Sequence, residues 1–175
     1  MISAIVAVDK NWGIGYQGQL LEHLPPDIKY FKELTTGNIV IMGRKTWDSL
    51  PVKPLINRHN VIISKSIPET KLPQIITDRE DPITFLQMNS LIQNLEKVKR
   101  FSNKEIFIIG GGSIYKQLLP YCDRVYVTLI GKEYKNVDTY FPNLNQMEEW
   151  EISTCTELRD YNGIGYAFAT YDRKS

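Results

Sequence analysis

Cysteine and histidine are scarce in this chain, with Cys 2 and His 2 among 175 residues. Cys122 and Cys155 form no CxxC spacing, and neither His23 nor His59 lies near them in sequence. Those spacings argue against a structural metal site and against a disulfide framework. We therefore expect no metal and a reducing, cytoplasmic setting. An excess of one charge is also missing: Lys+Arg 21 against Asp+Glu 20 leaves a formal net charge of +1. No global field draws nucleic acid or an anionic membrane, so any phosphate recognition must be local. The basic cluster Lys97, Lys99, Arg100 and Lys104 sits near acids and lacks interleaved stacking platforms, which argues against nucleic-acid binding. Long hydrophobic runs are absent too. The first, Ile2 to Val8, is interrupted by Ser3 and stopped by Asp9 and Lys10, with no basic segment before it. It reads as neither a signal peptide nor a membrane span. Cys122 has no visible base partner and Ser113 is not in a GxSxG elbow, so covalent catalysis is disfavoured.

What the sequence does contain points to one α/β domain spanning residues 1–175. Runs rich in Ile and Val (Ile2 to Val8, Ile39 to Met42, Val61 to Ile63, Ile106 to Ile109, Val125 to Ile130) recur between segments with helical spacing. The first, second and fourth runs are continuous rather than alternating, as in strands covered on both faces, and should form the sheet centre. Helices are expected over Pro26 to Thr35, Lys45 to Leu50, Ile83 to Lys99 and Ser113 to Leu119, with Gly37, Pro51 and Pro120 as stops. At the C-terminus, Trp150 to Thr156 and Tyr166 to Tyr171 flank a turn containing Asn162-Gly163 and read as an antiparallel pair ending the sheet. Asp9 to Leu24, with Gly13, Gly15 and Gly18, reads as a long loop, the kind of segment that often serves as a lid.

Three features carry chemistry. On the first helix, at about 100° per residue, Asp27, Ile28, Phe31, Leu34 and Thr35 fall within a sector of roughly 120°, while Lys29, Lys32 and Glu33 point elsewhere. A carboxylate on the core-facing side costs several kcal/mol if unpaired or has its pKa raised, so something polar should meet it. Taken alone, Asp27 could equally complement the helix dipole at the edge of solvent. Second, the strand ending at Ile109 runs into Gly110-Gly111-Gly112-Ser113 and then helical spacing from Ile114. Without side chains there a pyrophosphate can approach backbone N–H groups, although a triple glycine also makes an ordinary tight turn. Third, Ile39 to Met42 leads into Gly43-Arg44-Lys45-Thr46, placing two cations at a helix start, the end the dipole disfavours. An anion between them would account for that, and a dinucleotide bearing a 2′-phosphate suits the extra charge. Two solvated surface cations are the plainer alternative.

In this order the pieces resemble dihydrofolate reductase over nearly the whole chain. The most specific stretches are Ile14-Gly15, Leu24-Pro25-Pro26-Asp27-Ile28-Lys29-Tyr30-Phe31-Lys32, Val40 to Trp47, Ile108 to Tyr115, and Asp138-Thr139-Tyr140-Phe141-Pro142. The resemblance implies a mostly parallel central β-sheet with an antiparallel C-terminal strand and flanking helices. It also implies NADPH-dependent reduction of 7,8-dihydrofolate to 5,6,7,8-tetrahydrofolate, in support of one-carbon metabolism and of thymidylate, purine and glycine synthesis. By the same resemblance Asp27, Thr128, Leu20 and Glu22 make up the catalytic set, with Asp27 anchoring the pterin and Thr128 supporting it through its hydroxyl. Ile5, Ala7, Asp27, Ile28, Phe31, Leu50, Leu55 and Arg58 would bind the substrate, Arg58 by a bidentate pair with the α-carboxylate of the glutamate tail. The cofactor set is Ala7, Ile14, Gly43, Arg44, Lys45, Thr46, Ser64, Lys65, Ile109, Gly111, Gly112, Ser113, Ile114 and Tyr115. Within it, Ala7, Ile14 and Tyr115 lie beside the nicotinamide, Thr46 and Gly111 to Ser113 at the pyrophosphate, and Arg44, Ser64 and Lys65 toward the 2′-phosphate. The partners implied are dihydrofolate and antifolate inhibitors, bound by a monomer.

The chain departs from the family where Leu-Pro-Trp is usual. Leu20-Leu21-Glu22-His23-Leu24-Pro25 puts Glu22 in the tryptophan position. We expect Glu22 to face water, since an exposed acid avoids the cost of a buried like-charge pair with Asp27. Turned inward, it would titrate as a coupled pair with Asp27. Leu21 and Glu22 also suggest an altered affinity for diaminopyrimidine antifolates such as trimethoprim, as in a resistance form. The long polar region 78–104 is expected as a surface elaboration without catalytic duty. A related pyrimidine reductase and a catalytically silent folate or NADPH binding protein are the alternatives; Asp27 with Phe31 argues against the first, and Glu22 keeps the second open.

Overall fold

The structure, a computed structural model, describes residues 1–66, 83–101 and 103–175. In chain order the elements are β1 (Ile2–Val8), β2 (Gly13–Tyr16), β3 (Gln19–Leu20), α1 (Pro25–Thr35), β4 (Ile39–Gly43), α2 (Arg44–Ser49), β5 (His59–Ile63) and β6 (Ile83–Leu86). They continue as α3 (Met88–Phe101), β7 (Ile106–Gly110), α4 (Gly112–Leu118), β8 (Arg124–Ile130), β9 (Thr139–Tyr140), β10 (Trp150–Cys155), β11 (Arg159–Tyr161) and β12 (Ile164–Arg173). A large sheet runs in the order β10-β12-β8-β1-β7-β4-β5-β6, with β11 paired to β12. Strands from β8 to β6 pair in parallel, and β12 joins β8 and β10 antiparallel.

The continuous Ile and Val runs lie where two-sided burial requires them. β1, β7 and β4 are neighbours at the sheet centre, with Ala4 and Ile41 both opposite Ile108. Ala4, Ile41 and Ile108 are buried on one face and Ile5, Val40 and Phe107 on the other, so side chains of both faces leave water, which is the main source of stability for such strands. The C-terminal antiparallel pair also forms as its aromatic and alternating pattern predicts, with Trp150 opposite Arg173.

Two segments differ from the sequence reading. Ile83 to Leu86, expected as the start of a helix, is β6 and pairs in parallel with β5, Asn60 opposite Ile83. Its Ile-Thr-Phe-Leu run is β-branched and aromatic, which suits a pleated edge better than a helical turn. The helix proper is α3, and it buries Leu91, Leu95 and Val98 in the principal core. Residues 83–101 are thus part of the packed domain rather than a surface elaboration, while residues 78–82 of the same region lie outside the described residues. Similarly, the Asp9 to Leu24 loop contains the hairpin β2–β3, and β9 completes a small second sheet, β3-β2-β9.

Candidate active site

Helix α1 starts at Pro25-Pro26, residues whose fixed φ suits the first turn and whose missing N–H groups cost nothing there. The first free amides, those of Asp27 and Ile28, donate to the Leu24 carbonyl at 3.0 and 3.1 Å. This fixes Asp27 on the face that meets the C-terminal half of β8. There the hydroxyl of Thr128, itself 2% exposed, donates to Asp27 Oδ1 at 2.5 Å. Burial holds the Asp27 pKa above its ordinary value of 3.8, and the Thr128 hydrogen bond opposes that rise. Among the described residues no cation pairs with Asp27, and Oδ2 accepts no hydrogen bond. A half-buried carboxylate with one oxygen engaged and the other open suits a ligand that brings its own paired N–H donors.

Apolar walls stand beside it. Ala7 and Ile5 on β1 are opposite Thr128 and Tyr126 of β8. Ile5 is buried in a cluster that also takes in Phe31, Leu50, Leu55 and Ile109, so four of the expected substrate contacts and one expected cofactor contact share a single apolar unit. Ala7 packs instead against the cluster of Leu24, Ile130, Tyr166 and Phe168. Ile28 is 43% exposed and stands at the rim. Arg58 is fixed rather than free: Nε donates to the Ile56 carbonyl at 2.9 Å, Nη1 donates to Thr35 Oγ1 at 3.1 Å, and the guanidinium lies over the Phe31 ring at 5.9 Å. Partial burial lowers its pKa. Nη2 has no protein partner among the described residues, which leaves a donor at the end of the Phe31 wall.

The two strand-to-helix junctions lie side by side, because β4 and β7 are paired neighbours with Met42 opposite Gly110. Neither N-cap residue, Gly43 nor Gly111, carries a side chain that caps its helix. Here glycine is required by space. A Cβ on Gly43 would come within 2.9 Å of Ile114 Cγ1, and one on Gly112 within 2.5 Å of Thr139 Cγ2. Gly110 has φ +121, a backbone that other residues rarely adopt, and lies against the Tyr115 ring. Tyr115 is buried, its hydroxyl donates to the Ile5 carbonyl at 2.6 Å, and burial raises its pKa, so the phenol remains a donor. Thr46 Oγ1 faces the Gly111 position, 3.5 Å from where a Cβ would stand. Lys45, Lys65 and Ser113 are exposed, and Ser64 is buried with its hydroxyl 2.9 Å from that of Ser66. Arg44 Nε donates to Asp48 Oδ1 at 3.1 Å with its guanidinium over the Phe85 ring at 5.7 Å. Ile14 is buried in the principal core. Bare glycine backbone, a hydroxyl and flanking cations together fit a pyrophosphate with a further phosphate nearby.

The other two residues of the expected catalytic set lie on β3 and just after it, ahead of α1. Leu20 is 77% exposed on β3. Glu22 does not face water: its side chain is 24% exposed, its carboxylate accepts from the Tyr134 hydroxyl, and Lys132 Nζ lies 3.9 Å away. The outward orientation expected for Glu22 is therefore corrected, because hydrogen bonding and an ion pair offset the desolvation that argued for it. Tyr134, Lys132 and Phe85 lie in no motif that the sequence offers. Tyr30 lay inside a motif but drew no role, yet it stacks on Phe168 with centroids 4.1 Å apart. On the neighbouring face of α1 a shallow groove of about 420 Å³ is lined by Lys29, Tyr30, Glu33, Thr156, Arg159 and Phe168 among others. Tyr30 and the Arg159 guanidinium already cover the Phe168 ring.

The family described as dihydrofolate reductase matches this chain over residues 1–173. A dihydrofolate reductase of Bacillus subtilis is 34% identical over 178 aligned residues, covering 100% of this chain and 96% of that protein. A bifunctional dihydrofolate reductase-thymidylate synthase of Paramecium tetraurelia is 36% identical over 95% of this chain, which spans only 33% of that protein's length. Among solved structures, a dihydrofolate reductase from Enterococcus faecalis complexed with NADP(H) and RAB-propyl superimposes with a TM-score of 0.79 at 28% identity, covering 100% of this chain and 97% of that one.

Proposed function

The chain belongs to the dihydrofolate reductase family and reduces 7,8-dihydrofolate to 5,6,7,8-tetrahydrofolate with NADPH; we propose that Asp27 is the group on which this reaction turns. The observation that carries the proposal is the half-buried Asp27 carboxylate, held at one oxygen by Thr128 and open at the other. The pterin offers a matching pair of donors, the ring N3–H and the 2-amino group. Asp27 would accept both, and its negative charge would favour protonation of the ring at N5. Ile5, Ala7, Ile28, Phe31, Leu50 and Leu55 would wall the pterin and aminobenzoyl groups and exclude water. The free Nη2 of Arg58 would take the α-carboxylate of the glutamate tail.

NADPH, when bound, supplies the hydride that goes to pterin C6. Gly43, Thr46, Gly111, Gly112 and Ser113 would hold the pyrophosphate, and Arg44, Lys45, Ser64 and Lys65 the adenosine 2′-phosphate side. Ala7, Ile14, Ile109, Ile114 and Tyr115 would form the bed beside the nicotinamide, with Tyr115 fixed on the Ile5 carbonyl. The protein's contribution is orientation of donor and acceptor carbons at near-attack distance. The test is loss of NADPH absorbance in the presence of dihydrofolate. Binding of both ligands without turnover would contradict the proposal and favour a silent binding protein.

Finer attributes rest on fewer observations. Leu21 and Glu22 support an altered response to trimethoprim. The inhibition constants of wild type and Leu21→Pro/Glu22→Trp should differ, and identical constants would reject the idea. Two free thiols, Cys122 and Cys155, support a reducing cytoplasm, and activity confined to a non-cytosolic fraction would refute it. Placing both ligand sites on one chain supports a monomer, which sedimentation above 20.2 kDa would refute.

A further inference from the structure

Glu22 lies two residues before Leu24, whose carbonyl receives the first free amides of α1. Its carboxylate is tied across the chain to Tyr134, 112 residues away, and more loosely to Lys132 at 3.9 Å. Tyr134 is well placed to act as an anchor. Its ring packs with Leu24, Ile130, Tyr166 and Phe168, the same cluster that includes Ala7. Lys132 Nζ sits over that ring at 4.8 Å. The Tyr134 amide donates to Asp9 Oδ2 at 3.3 Å, and Asp9 also accepts from Asn11 at 2.9 Å and Gly13 at 2.8 Å. Burial and the neighbouring Glu22 raise the Tyr134 pKa, so the phenol stays protonated and donates a hydrogen bond to the Glu22 carboxylate. A hydroxyl-to-carboxylate bond of this kind is stronger than a neutral one.

We propose that Tyr134, with Lys132, is a positioning residue for the substrate site: it fastens Glu22, and with it the Leu21–Leu24 segment, to the chain beyond β8, so that the first turn of α1 presents Asp27 in one orientation. The proposal rests on the reading of Asp27 as the pterin anchor. Glu22 then acts through Asp27's placement and not on the reacting atoms. Without the tie, the segment before α1 keeps its Leu24 packing but loses its bond to Tyr134, and substrate must order it on binding. That cost falls on substrate affinity more than on the chemical step.

The test is a double-mutant cycle in the full-length enzyme between Tyr134→Phe, which keeps the ring and its packing, and Glu22→Ala. Each single change should raise KM for dihydrofolate roughly tenfold, the size of effect expected for a hydrogen bond to a charged group. kcat should move by less than about threefold, because binding is affected more than chemistry. KM for NADPH should stay constant, and the double variant should be no worse than either single one. Lys132→Ala should cost only about twofold, since its contact is long and half exposed. Amide hydrogen exchange over residues 21–28 should quicken in Tyr134→Phe, a readout independent of turnover. An unchanged KM in Tyr134→Phe, strictly additive effects, or unchanged exchange would each overturn the proposal. If the cycle couples and exchange quickens, but Asp27→Asn turns over normally, the reading of Asp27 fails and the tie between Tyr134 and Glu22 stands.

Discussion

Replacing Thr128 with Val removes one hydroxyl from beneath Asp27 and almost nothing else, since the two side chains have nearly the same shape. Thr128 is 2% exposed and its hydroxyl lies 2.5 Å from Asp27 Oδ1, so no water readily takes its place. A hydrogen bond to a charged group contributes about 1.5–3 kcal/mol. The effect should depend on pH in a definite direction. Burial raises the Asp27 pKa above its unfolded value, so the folded protein holds this proton more tightly than the unfolded chain does. The contribution of Asp27 to stability therefore declines as pH rises from the unfolded value through the folded one. Removing the donor raises the folded pKa further, because the Thr128 hydrogen bond is what holds it down. Wild type and Thr128→Val should consequently differ little at a pH low enough to protonate the carboxyl, and diverge as pH rises past the folded Asp27 pKa. For a domain of this size each 1 kcal/mol shifts Tm by about 2–4 °C. Thermal unfolding should thus show a deficit of about 3–12 °C at neutral pH that shrinks on acidification. The acid limb of the kcat/KM profile should also move to higher pH. Equal destabilisation at both pH values, or an unmoved acid limb, would refute the reasoning.

Three further outcomes follow from other parts of the structure. Gly112→Ala places a Cβ 2.5 Å from Thr139 Cγ2, and NADPH binding followed by fluorescence should weaken about tenfold or more if that backbone is the pyrophosphate bed. Unchanged NADPH affinity would contradict this. Arg44→Ala should raise KM for NADPH by about five- to tenfold while leaving KM for NADH unchanged, with the difference shrinking in high salt; equal losses with both cofactors would remove Arg44 from the 2′-phosphate side. Asp9, 4% exposed, accepts from the amides of Asn11, Gly13 and Tyr134. Asp9→Asn should lower stability by about 1–3 kcal/mol in a denaturant titration, and an unshifted midpoint would show that these bonds are redundant.

The parts of the fold legible in the sequence are those whose signal is local. The continuous runs of β1, β4 and β7 announce two-sided burial, and the spacing on α1 places Asp27 and Phe31 on one face, because both patterns repeat within a few residues. Non-local features were not legible. The hairpin β2–β3 is short and rich in glycine, and it exists through pairing with β9, Gly13 opposite Tyr140. β6 was hidden because its four residues run into α3 without a breaker, and only pairing to β5 sets it apart. At the site, the glycine turns and the cations after β4 stand out by residue type alone, and pairing of β4 with β7 brings the two junctions together. The anchoring of Arg58 on Thr35 and Ile56 depends on where a loop settles. The inward orientation of Glu22 is not legible because desolvation can be counted from the sequence while a partner 112 residues away cannot.

The account stands most directly on the charge of Asp27, and Asp27→Asn changes that charge with little change of shape. Initial rates of NADPH oxidation with dihydrofolate at neutral pH should fall by about a hundredfold or more in kcat/KM, the scale of losing a charged contact to the reacting ring. NADPH affinity should stay the same. Turnover equal to that of the wild-type enzyme would contradict the account.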